Sequence, residues 1–152
     1  MILHNHNIIA WDFYGTLIGI EGGYLLRQFV AQNQHKEHHI ITMRSHGQER
    51  DIQEILDANG LSVSAFKSII NLPDKIYECY YDTMDAGKPV ETHEYNIWKA
   101  KKCLEINATI LIDDMEGDKV SRYGCDLNNI EIIHPKTLID ILVGQHDGSM
   151  QC

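Results

Sequence analysis

Basic residues are scarce in this chain. Only 13 lysines and arginines stand against 22 acidic residues, for a formal net charge of −9. That balance argues against long nucleic acid or an anionic membrane surface as the main partner, because nothing offsets phosphate repulsion. A smaller phosphate-bearing substrate stays open, since a bound divalent cation and one lysine reverse the sign locally. Long apolar runs are absent too: none approaches the ~20 residues of a membrane span. The first residues are polar (His4-Asn5-His6-Asn7), so no secretory leader is expected. Cysteine is sparse and scattered. Cys79, Cys103, Cys125 and Cys152 form no CxxC pair and no metal-ligand spacing. Reduced thiols in a cytoplasmic protein are the expectation. Prolines number three (Pro73, Pro89, Pro135), and no repeat or low-complexity segment divides the 152 residues. One domain with a single core is expected over residues 1–143, followed by a flexible tail over 144–152.

The remaining composition is globular, and its periodicity alternates between strand and helix. Ile8 to Trp11, His39 to Thr42, Phe66 to Asn71, Thr109 to Ile112 and Ile130 to Ile133 read as short buried strands. Helical spacing runs over Tyr24 to Gln34, Gln48 to Asn59, Asp74 to Met84 and His93 to Glu105. A short helix is expected around Lys119 to Tyr123, and a last one starts at Pro135. Strands alternating with helices predict an α/β fold: a three-layer, Rossmann-like α/β/α sandwich around a central parallel five-stranded sheet, without a large cap domain.

Two of these strands end in acids. Ile8-Ile9-Ala10-Trp11 delivers Asp12, and Phe13-Tyr14-Gly15-Thr16 follows as a turn. Far downstream, Thr109-Ile110-Leu111-Ile112 delivers Asp113 and Asp114. The carboxyl ends of strands are where open α/β sheets bind ligands. Carboxylates converging there can attack an electrophile or hold a hard cation. Alone, an acid at a strand end often just caps a turn, and an adjacent pair often begins a solvated loop. Their co-occurrence on two strands is what favours a site.

With its intervening elements, this ordered set resembles the haloacid dehalogenase (HAD) superfamily of phosphotransferases and hydrolases. The resemblance spans Ile8 to about Leu142. It implies Asp12 as nucleophile, Thr16 as the threonine of the first motif, and Thr42 as the residue that hydrogen-bonds a phosphoryl oxygen. It also implies a motif lysine, Lys99 or, in Gly87-Lys88-Pro89, Lys88. Lys99 opens the helix leading into the fourth strand; Lys88 lies a long loop away from it. Mg²⁺ is the implied cofactor, held by Asp12, the backbone carbonyl near Tyr14, and the Asp113/Asp114 pair. Asp118 is a further acid, equally well read as a favourable helix N-terminal charge.

The implied reaction is hydrolysis of a phosphate monoester through an aspartyl-phosphate, with a phosphorylated substrate as partner. Tyr14 departs from the family's phosphatases, which carry an aspartate there to move protons. A phenol is a poor base at neutral pH, and losing a general acid-base group typically costs ~10²–10⁴-fold in rate. Asp-x-Tyr-Gly-Thr is instead the form of the haloacid dehalogenases proper. Those have a helical cap after the first motif, which the 30 residues from Asp12 to Thr42 do not accommodate. They also lack the metal-binding acid pair. Three readings therefore stand: a slow or unusual Mg²⁺-dependent phosphatase, a non-catalytic binding module, and a dehalogenase-like hydrolase. Arg44 is a candidate for contacting a substrate anion, and His46 lies near the same rim. His35, His38 and His39 read as a polar turn, and His4 and His6 as a mobile terminus.

Overall fold

The computed structural model describes residues 3–45, 49–76, 78, 93–115 and 122–150, with the backbone alone at 44–45, 49–50, 93–96 and 146–150. In chain order the elements are β1 (Ile8–Trp11), α1 (Gly23–Gln32), β2 (Glu37–Ser45), α2 (Glu49–Ala58) and β3 (Ser68–Leu72). They continue with α3 (His93–Glu105), β4 (Ile110–Ile112), α4 (Gly124–Leu127), β5 (Glu131–Ile133) and α5 (Pro135–Met150). A 3-10 turn at Val63–Ala65 precedes β3.

The five strands form one sheet in the order β3-β2-β1-β4-β5, and every neighbouring pair is parallel. The chain moves outward from β1 through β2 to β3, then returns to the other side of β1 for β4 and β5. The direction of winding thus reverses between β1 and β4. At such a switch point the connections leave in opposite directions and open a crevice at the strands' carboxyl ends.

Both faces of the sheet are covered, which is why β4 is apolar without alternation and buried at every position. On one face Ile9, Trp11, Ile40 and Ile112 pack with Leu26 and Phe29 of α1, Ile52 and Leu56 of α2, and Leu138 of α5. On the other, Ala10, Ile41 and Leu111 meet Trp98, Ala100 and Cys103 of α3 and Cys125 of α4. Each large apolar side chain so enclosed stabilises the fold by about 1.5–3 kcal/mol relative to exposure.

Several expectations shift. β2 is longer than read: it begins before His39 and takes in His38 as well, both buried, where a polar turn is expected for His38. The Trp11 Nε1–H donates to His38 Nδ1 at 3.0 Å, and His38 Nε2 lies 2.9 Å from the Asn33 carbonyl. Both bonds form only if Nε2 carries the proton, so His38 is neutral. Burial accordingly pulls its pKa below the usual histidine value. His39 Nδ1 meets the Ser68 hydroxyl at 2.6 Å. His6 is anchored rather than loose: its ring nitrogens reach Thr109 Oγ1 at 2.7 Å and Glu131 Oε2 at 2.8 Å, at the amino edge of the sheet.

The short helix sits at Gly124–Leu127, beyond the expected Lys119 to Tyr123. The last helix passes through Gly144 and runs to Met150, in place of a flexible tail beginning at residue 144. One glycine costs a helix only ~1 kcal/mol, and no proline follows to stop it. Asp74–Ile76 are helical; Tyr77 and most of the span up to Thr92, with Lys88, lie outside the described residues, as do His46 and Asp118.

Candidate active site

The sheet brings the two acid-bearing strand ends side by side. β1 pairs with β4 through Trp11 opposite Ile112, so the next residue of each strand is an aspartate. Both aspartates are still held by the ladder. The Asp12 N–H donates to the Ile112 carbonyl at 2.8 Å, and the Asp113 N–H to the Ile133 carbonyl at 3.1 Å. Their backbones are therefore pinned across the switch point rather than drifting in loops.

Lys99 joins them from α3. Most of that helix's buried surface is apolar, but Lys99 shares the inward side with Trp98, Ala100 and Cys103 and is only 2% exposed. Its ammonium donates to Asp12 Oδ1 at 2.7 Å and to Asp113 Oδ2 at 2.9 Å. Lys101 is exposed, and Lys102 pairs with Glu105 at 3.0 Å. Lys99 is thus the lysine of the three that the packing selects.

The remaining oxygens of the buried pair also have donors. Thr16 Oγ1 donates to Asp12 Oδ2 at 3.3 Å, and the Met115 N–H to Asp113 Oδ1 at 3.0 Å. Thr16 is fully buried, so its hydroxyl orients Asp12. The Met115 amide had no signal in the sequence, because every residue but proline offers one.

The turn after Asp12 is tightly closed. The Phe13 carbonyl accepts from the amides of Thr16, Leu17 and Ile18, and the Gly15 N–H donates to the Ile18 carbonyl at 2.8 Å. Gly15 has φ +80°, in the left-handed region, and a Cβ there would run into the Asp114 carboxylate. Asp114 thus lies across the bare face of Gly15. Tyr14 packs edge-on against Phe13, with ring centroids 4.7 Å apart and planes at 75°. The Tyr14 residue is 38% exposed, at the rim.

Carboxylate oxygens of Asp12, Asp113 and Asp114 lie within 4.8 Å of one another. Three carboxylates against the Lys99 ammonium leave the cluster at −2 when all are ionised. The electrostatic consequence is visible in Asp12. Burial pushes its carboxyl up, the Lys99 charge opposes that, the Asp113 charge adds to it, and the outcome is about 7. For Lys99, burial disfavours the charge, but Asp12 and Asp113 outweigh it and hold the ammonium above its ordinary value. Asp114 is raised as well, first by burial. An all-oxygen donor set with two uncompensated negative charges fits a hard divalent cation such as Mg²⁺. No such fit exists for a soft or imidazole-seeking metal.

Of the other expected residues, Thr42 is buried at the same carboxyl edge, opposite Asn71 of β3. The register between β2 and β3 shifts just beyond it, between Thr42 and Ser45. Arg44 follows in β2, its side chain outside the described residues. The structure therefore brings together Asp12, Thr16, Lys99, Asp113 and Asp114, with Tyr14 beside them. Neither a scan against protein-family models nor a search of curated proteins finds a match for this chain.

Proposed function

We propose that the protein is a Mg²⁺-dependent hydrolase of phosphate monoesters, of the type found in the HAD superfamily, with Asp12 as nucleophile. The observation that carries this reading is the convergence of three carboxylates and a buried lysine on the switch-point crevice. Asp12, Asp113, Asp114 and the backbone carbonyl near Tyr14 would hold the cation. When bound, Mg²⁺ supplies the charge that offsets repulsion between the carboxylates and a phosphoryl group.

The chain's own residues do the rest. Lys99 holds Asp12 in place and adds a fixed positive charge beside the position of the transferring group, a preorganised electrostatic contribution. Thr16 sets the rotamer of Asp12. Met115 and Lys99 set that of Asp113. Thr42 offers a hydroxyl to a phosphoryl oxygen. An Asp12 oxygen forms a bond to phosphorus as the ester P–O bond breaks, and the leaving oxygen departs with the electron pair. Water then cleaves the aspartyl-phosphate, regenerating Asp12 and releasing phosphate.

The test is phosphate release from an aryl phosphate with Mg²⁺, which should vanish in Asp12→Asn and without divalent metal. Halide release from a 2-haloacid without metal would instead establish the dehalogenase reading. One observation favours a second reading, a metal-binding module without turnover: Tyr14 stands two residues after Asp12, where the family's phosphatases carry their acid-base carboxyl. Retained metal binding with no phosphate release from any monoester would decide for it. A soluble cytoplasmic setting belongs to the same proposal; among the described residues, no helix is long and apolar enough to cross a membrane.

A further inference from the structure

We infer that Tyr14 selects phosphate esters whose phosphorus-bound oxygen carries an aromatic ring, the side chain serving as a stacking wall for that ring. The inference rests on the phosphohydrolase reading of the neighbouring site and names its substrate class. Three observations support it. First, Tyr14 is placed rather than loose. Its ring meets Phe13 edge-on at 4.7 Å, Phe13 is fully buried, and the backbone of Tyr14 bridges to Ile18. An aromatic side chain so mounted presents contact area at little further cost in conformational entropy. Second, it stands at the rim: Asp12 is two residues before it, and the next residue, Gly15, lies against the Asp114 carboxylate. Two residues of chain span at most ~7 Å between Cα atoms, so the backbone that carries the ring is mounted beside the carboxylates. Third, the residue is 38% exposed despite its aromatic ring and its buried neighbour Phe13, which leaves contact area for a ligand.

The chemistry agrees. In the transfer to Asp12 the P–O(aryl) bond breaks and the phenolate leaves with the electron pair, taking its proton from solvent. Phenols are far stronger acids than alcohols, so this leaving group depends least on a proton donor. That suits a chain with a tyrosine two residues after its nucleophile.

Aromatic pairs contribute ~0.5–1.5 kcal/mol beyond area burial, which corresponds to about two- to tenfold in affinity. The experiment measures binding of phenylphosphonate and methylphosphonate to the full chain with Mg²⁺ by calorimetry. Neither ligand can be hydrolysed, so binding is read apart from turnover. The expected result is a preference of about two- to tenfold for phenylphosphonate, kept in Tyr14→Phe and lost in Tyr14→Ala. Thermal melts confirm that each variant is folded. An equal affinity for the two phosphonates, a preference that survives Tyr14→Ala, or failure of both to bind would overturn the inference. So would tighter binding of a nucleoside 5′-monophosphate, whose base lies several bonds from phosphorus. Turnover of aryl phosphates is measured alongside. If it is absent while the Tyr14-dependent preference persists, the hydrolase reading fails and the ligand class stands.

Discussion

Replacing Gly15 with alanine isolates the contact that holds the third carboxylate in place. Three glycines offer a graded comparison, since Gly15, Gly19 and Gly60 all have φ between +73° and +80°. At Gly60, just past α2, a Cβ meets nothing within 4 Å. Gly60→Ala therefore carries the backbone term alone: ~1–2 kcal/mol for an L-residue in the left-handed region, offset by ~0.4–1 kcal/mol from the less flexible unfolded chain. The net is a loss of roughly 0–1.6 kcal/mol on those principles. Gly19→Ala should match it, because its nearest atom is the Gly15 nitrogen at an ordinary 3.7 Å. Gly15→Ala adds a collision with the Asp114 carboxylate, whose Cγ would lie 2.8 Å from the new Cβ. Asp114 is exposed, so its carboxylate can swing into solvent at little cost in stability, but it loses its place beside Asp12. The expected urea stability is highest for wild type, with Gly60→Ala, Gly19→Ala and Gly15→Ala together below it. Mg²⁺ or Mn²⁺ affinity, by calorimetry, should fall in Gly15→Ala alone. If Gly15→Ala binds metal as well as Gly60→Ala does, Asp114 is not held by this turn and the reasoning fails.

Other outcomes follow from the same site. Lys99→Met leaves two buried carboxylates without their cation and should destabilise the fold by ~3–5 kcal/mol at neutral pH; Mg²⁺ should restore part of the denaturation midpoint. Asp12, raised from 3.8 to about 7, stabilises the metal-free fold below about 4 and loses that contribution as pH rises through about 7. Added Mg²⁺ competes with the proton, so its apparent affinity should climb over this window, and Asp12→Asn should flatten the climb. His38 acts with the opposite sign: its lowered pKa gives stability that is complete above 6.5 and lost as pH falls. Because Asp12 works the other way over the same range, the test is the gap in urea midpoint between wild type and His38→Gln, which should narrow on acidification. Burial raises the Cys103 thiol and pushes Cys125 up to about 12, so peptide mapping after iodoacetamide should find both unmodified until urea unfolds the chain.

Much of the fold was legible in linear form. Ile8-Ile9-Ala10-Trp11 and Ile110-Leu111-Ile112 are apolar without alternation, the mark of strands buried on both faces, and helical periods between them imply parallel crossovers. The helix over His93–Glu105 has the same bounds in sequence and structure. Errors arose where local polarity was overruled by tertiary partners. His38 looks like a turn residue until Trp11 and Asn33 supply hydrogen bonds that let a strand bury it. Gly144 looks like a stop, yet the last helix continues past it.

By itself the amino-acid order determined which residue types end which strands: Asp12 after one apolar run, Asp113 and Asp114 after another. It also placed a glycine where the intervening turn needs a positive φ. Local backbone preference and burial act over a few neighbours, so they can be read along the chain. Only the tertiary structure decided that β1 and β4 are adjacent, that Lys99 among its neighbouring lysines turns inward, and that Asp114 lies across Gly15. Those outcomes depend on contacts between residues far apart along the chain, such as the 87 positions that separate Lys99 from Asp12. Packing of the whole sheet and its two helical layers selects such contacts, and no local signal encodes them.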